Sequence, residues 1–176
     1  MKFFTDKRGL AITYAIFSAF FLFFSIPIGA VFLTFRNGET FSKLNEIIGN
    51  QPANLNHAET QFRLAFYFVI LMVVLTGIMY LLTAKSRSSA FRFLTIIFGS
   101  YTIISFGYKV IVSAALTTAI SKLESGPLKV SAPAIAKTFT NNFLVFGLTG
   151  ALLSILTLLL GLLGNEKREA QPTSSS

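Results

Sequence analysis

"GLTGALLSILTLLLGLLG", residues 147–164, decides the fold. It carries no charge, and with "FLVF" ahead of it the run covers 143–163, matching the roughly 20 apolar residues that cross a hydrocarbon core of about 30 Å. Its small residues Gly147, Gly150, Ser154, Thr157, Gly161 and Gly164 alternate at steps of three and four. That is the period of a left-handed helix pair. Lipid is as apolar as leucine, so membrane helices associate by close approach at small residues. The seam therefore predicts a helix-packing line, with the leucine flanks left to lipid.

Three further stretches have the same make-up, roughly 10–35, 63–84 and 92–119. The expected fold is an all-α integral membrane protein, a four-transmembrane-helix bundle over 1–165 with short outer loops and a disordered polar tail over 166–176. Composition agrees: 53% of the 176 residues are apolar and 12% charged, outside the balance of a soluble domain. The first span is far longer than the apolar region of a cleavable signal and reads as a retained signal-anchor.

Lysine and arginine in short loops resist translocation and set orientation. The loop "AKSRSSAFR", residues 84–92, is short and has no acid, whereas the loops at the other end are longer and hold Glu39, Glu46, Glu59 and Glu124. Both termini are therefore expected in the cytoplasm, at a plasma membrane. The net charge of +8 is spread over span ends and forms no basic stripe, so no nucleic-acid partner is expected. The inner cluster Lys85, Arg87 and Arg92 suits anionic lipids, although the positive-inside rule already accounts for it.

In the loop after the first span, the spacing of Phe41, Leu44, Ile47 and Ile48 predicts a short amphipathic helix. The following "GNQPANLN" is turn-rich. The second outer loop, residues 121–142, contains Pro127 and Pro133 and reads as an extended connection. Pro27 lies within the first span and predicts a kink there. That span has its own weaker seam at Ala15, Ser18, Leu22, Ser25 and Gly29.

The second span is nearly all apolar and reads as the most lipid-exposed helix. The third is rich in hydroxyls, among them Thr95, Ser100, Tyr101, Thr102, Ser105, Tyr108 and Ser113. It is expected to face the bundle interior and to pack against the fourth. It also carries Lys109, the only lysine, arginine, histidine or carboxylate well inside any span. Intramembrane charges are costly and point to function by default. Lys109 with Ser105, Ser113 and Tyr108 is thus the candidate site. Three readings stand beside each other: a lysine that snorkels or is hydrogen-bonded, a cation for an anionic headgroup, substrate or partner carboxylate, and a proton-exchanging group of depressed pKa.

Other chemistry is absent. No cysteine is present, which removes disulfides and thiolate ligands and disfavours the quinone-linked thiol oxidases, tetraspanins and claudins. His57 is the single histidine, so paired-histidine haem ligation cannot be built within one chain. No aspartate or glutamate lies in any span, which argues against carboxylate proton relays and di-metal centres. No phosphate-binding glycine loop, zinc-protease motif or serine elbow occurs.

The expected function is a non-enzymatic accessory, assembly or structural subunit of a membrane complex. Its partners would be membrane lipids and other membrane subunits or a second copy, with no cofactor and no metal. The rival expectation is a small transporter or channel component in which Lys109 recognises an anion.

Overall fold

The computed structural model describes residues 7–49, 51–84, 87–123 and 126–169. They form five helices: α1 (Lys7–Arg36), α2 (Gly38–Ile47), α3 (Pro52–Thr83), α4 (Arg87–Ser121) and α5 (Pro127–Glu169). Four of these are long and apolar enough to cross a membrane, over Gly9–Arg36, Pro52–Thr83, Ala90–Ser121 and Pro127–Leu162. This is the make-up of an integral membrane protein, with no strand among the described residues.

α2 is the short helix that the apolar spacing in the first loop predicts. Asn37 caps it, its side-chain oxygen accepting from the Thr40 backbone N–H at 3.0 Å. An N-cap satisfies one of the donors that a helix start leaves without an internal partner.

The second outer loop differs from the reading as an extended connection. Residues 127–142 are the first part of α5, a helix of 43 residues. Pro127 sits at its first position, where a missing N–H costs nothing and the ring presets φ. Pro133 lies further inside and withholds one helix bond, yet the segment holds because it packs. Ser131 and Thr140 are buried. Asn142 donates from Nδ2 to the Ala30 carbonyl at 3.1 Å and to the Thr34 hydroxyl at 2.9 Å. α3 likewise begins at Pro52, a proline in the first turn, ahead of the expected start near 63. α5 continues to Glu169; the rest of the expected tail, 170–176, lies outside the described residues.

Two helix pairs make the bundle. α4 packs along α5 and α1 along α3, while α1 and α5 join the pairs and α3 barely touches α4. At the junction Leu22, Ile26, Ala30, Ile97, Tyr101, Phe143 and Phe146 form the core. The α1 seam is what makes it possible. Ala15, Ser18, Leu22, Ser25 and Gly29 are all buried, and a side chain at Gly29 would run into the rings of Phe146 and Phe66. The Ser25 hydroxyl donates to the Leu22 carbonyl at 2.6 Å and lies 3.3 Å from the Tyr101 hydroxyl, so α1 meets α4 through oxygen as well as carbon. Helix α1 runs through Pro27 without interruption.

α4, not α3, is the least covered of the four apolar helices over its most apolar stretch. Tyr101 and Ser105 are buried, but Tyr108, Thr117 and Thr118 are exposed. The physical reason is local. Thr117 and Thr118 donate to the carbonyls of Ser113 and Ala114 on their own helix, at 2.8 and 3.0 Å. A hydroxyl satisfied in that way carries no need for a neighbouring helix.

Candidate functional site

The small-residue seam lies along α4. Starting from α5, an added Cβ at Gly147 would come within 3.1 Å of the Phe106 ring, and one at Gly150 within 2.7 Å of the Thr102 hydroxyl and the Tyr101 ring. Ser154 donates to the Thr95 carbonyl at 3.1 Å, and the hydroxyls of Thr157 and Thr95 are 3.0 Å apart. Gly161 faces Phe91, whose Cβ would lie 3.4 Å from an added Cβ. Gly164 belongs to α5, but its surroundings lie outside the described residues.

Towards the α2 end the same alternation continues backwards through Phe143, Thr140, Ala136 and Pro133. There the two helices stand apart and enclose a crevice of about 530 Å³. Its polar lining is Lys109, Ser113, Thr117 and Ser121 from α4 with Lys137, Thr140 and Asn141 from α5. Lys109 is half-buried and Lys137 exposed. Neither forms an ion pair with a carboxylate among the described residues. The ion pairs that do form, Lys43 with Glu39 and Arg63 with Glu59, lie at helix pitch on α2 and α3.

Of the candidate residues, the structure therefore brings Lys109 and Ser113 into one crevice and leaves the other two outside it. Tyr108 stacks on Phe143, with ring centroids 5.7 Å apart and planes at 14°. Ser105 is fully buried and its hydroxyl has no protein hydrogen-bond partner among the described residues. Neither serine is hydrogen-bonded to Lys109, so no activated serine–lysine pair is formed. Such a pair needs nucleophile and base within hydrogen-bond reach.

Lys137 and Asn141 are absent from the candidate set because their segment reads as a loop. The signal that would have found them is the continued alternation at 133, 136, 140 and 143. It places Lys137 on the helix and one step off the seam.

A second, apolar cavity of about 360 Å³ lies across the α4–α5 contact from the crevice, lined by α1, α2, α4 and α5. Leu116, Ile120 and Ala136 line both spaces. His57 lies 3.5 Å from Gln61 on the exposed start of α3, and no three histidine or acidic side chains come together among the described residues. Arg92 is exposed near the opposite end, while Lys85 and the side chain of Arg87 lie outside the described residues. No family model, curated protein or solved structure matches this chain.

Proposed function

We propose that the protein is a non-enzymatic accessory or assembly subunit of a membrane complex, held in the plasma membrane with both termini in the cytoplasm. The observation that supports this is the uncovered face of α4. Ser100, Gly107, Ala114 and Thr118 fall on one side of the helix by its pitch, opposite the face that meets α5. An added Cβ at Gly107 would meet nothing within 4 Å. Around them Ile96, Ile103, Val110 and Ile111 are each at least 65% exposed. A helix face of small residues beside branched apolar ones is suited to close packing by another helix, supplied by a larger complex or a second copy.

Purification in mild detergent followed by identification of co-eluting proteins tests the reading. A stoichiometric partner, lost on Gly107→Leu while the chain still elutes as a folded species, is the expected result. A lone monodisperse protein whose elution and cross-linking are indifferent to Gly107→Leu would sink it. Orientation is tested separately, because the chain has no cysteine of its own. S42C and S121C should react with an impermeant maleimide added outside cells, and S88C should not.

The rival reading, a transporter or channel component for an anion, draws on Lys137 standing across the crevice from Lys109. Anion flux in liposomes by the purified chain alone, abolished by Lys109→Met, would favour it over the subunit reading.

A further inference from the structure

We propose that the α4–α5 crevice is a binding site for one anionic membrane phospholipid, with Lys109 and Lys137 holding its phosphate. This does not rest on either functional reading above.

Two lysines on facing helices line one crevice, and neither pairs with a carboxylate among the described residues. Lys109 lies roughly twelve residues from the end of α4 at Ser121, or about 18 Å along the axis. Like charges so placed beside apolar surface repel and lose hydration, and an anion between them relieves both effects.

The remaining donors fit. Thr117, Ser121 and Thr140 direct their hydroxyls to carbonyls of their own helices. The side chains of Ser113 and Asn141 have no protein hydrogen bond among the described residues. The crevice therefore offers two Nζ groups, one hydroxyl and one amide N–H2 to the oxygens of a phosphate, the charge-assisted type of hydrogen bond that is strongest.

The surface beneath the crevice selects a lipid over a free anion. On α5, Asn141, Val145, Leu148 and Leu152 recur at four, three and four residues and so share a face. Val145, Leu148 and Leu152 are all more than half exposed. They form an apolar track running from Asn141 towards the middle of the bundle, beside the exposed Phe106 of α4. A phospholipid has this arrangement, with acyl chains continuing directly from the charged group.

The test uses the full chain, delipidated in mild detergent and offered phosphatidylglycerol or phosphatidylcholine, with bound lipid counted by native mass spectrometry. One phosphatidylglycerol should be retained in preference to phosphatidylcholine. Retention should fall by about tenfold or more in Lys109→Met/Lys137→Met, and persist in Lys109→Arg/Lys137→Arg and in Lys122→Met. Equal retention by wild type and the double methionine variant would overturn the proposal. So would displacement of the lipid by inorganic phosphate at matched concentration, which would make this a soluble-anion site. Should the double variant fail to fold, phosphatidylglycerol bearing a photoreactive group next to its phosphate reads the site on the unmutated protein. Cross-links at 106–117 and 137–145 are expected, and labelling concentrated on α3 would refute it.

Discussion

Ser154 on α5 donates its hydroxyl hydrogen to the backbone carbonyl of Thr95 on α4, 3.1 Å away. The same turn brings the Thr157 hydroxyl within 3.0 Å of the Thr95 hydroxyl. Backbones reach that distance only because Gly150 and Gly161 lie above and below on the same face. Small size supplies the approach, and oxygen then fixes which turn of α4 meets which turn of α5.

Gly150 is the position where this contact has least tolerance. An added Cβ would lie 2.7 Å from the Thr102 hydroxyl and the Tyr101 ring and 3.2 Å from the Phe98 carbonyl. A carbonyl within a helix cannot swing aside. Gly150→Leu should destabilise the bundle by about 1–3 kcal/mol, the usual cost of overpacking, read as a lower melting temperature in detergent. Leu159→Ala, at an exposed position on the same helix, should leave the melting temperature nearly unchanged.

Asn142 joins the last helix to the first through Ala30 and Thr34. Interhelical hydrogen bonds in membranes contribute about 0.6 kcal/mol on average and up to about 2. Asn142→Leu should cost an amount in that range, with the part carried by the Thr34 bond absent when Thr34 is already valine and the part carried by the Ala30 carbonyl retained. Full additivity in the double-mutant cycle would show that the Thr34 bond carries none of the cost.

Ser105 runs the other way. Its hydroxyl is buried without a protein partner, and an unmade buried hydrogen bond costs about 1–3 kcal/mol. Ser105→Ala should therefore leave the melting temperature unchanged or raise it, whereas a clear fall would reveal a partner that the isolated chain lacks.

α2 has a pH dependence of known sign. The hydrogen bond from Lys43, and secondly its charge, hold the Glu39 carboxyl below its ordinary value of 4.5. A carboxylate lowered in the folded state contributes stability that is present above its unfolded value and lost as pH falls through the folded one. Amide exchange in α2 should accordingly quicken as pH falls from 4.5 through the Glu39 midpoint, after correction for intrinsic rates. Lys43→Met should return that midpoint towards 4.5 in a side-chain NMR titration; identical midpoints in both proteins would refute the pairing.

The four membrane helices are legible in the sequence because each is a long apolar run in which charge is sparse, and the seam of α5 is legible because its small residues recur at steps of three and four among leucines. Most of what escaped traces to the two prolines. Pro127 and Pro133 read as breakers when weighed by residue type, yet a proline at the first helical position is neutral, and the one further in is outweighed by contacts made far away in sequence. Lys137 was hidden by the same misreading, since a lysine in a loop needs no explanation while one across a crevice from Lys109 does. The coverage of α4 escaped for another reason. Hydroxyl content says that a helix can satisfy polar neighbours, but Thr117 and Thr118 satisfy themselves, and nothing in composition separates the two outcomes.

The pairing of α1 with α3, and of α1 with α5, sets an order on how the chain is made. Synthesis delivers α1 well before α5, so the carbonyl of Ala30 and the groove at Gly29 wait for Asn142 and Phe146 until more than a hundred further residues have been added. Until then α1 and α3 form a half-built pair with an open side. A chain stalled after α4 would present that side, and its aromatic and hydroxyl groups, to whatever insertion and quality-control machinery surveys the nascent membrane protein.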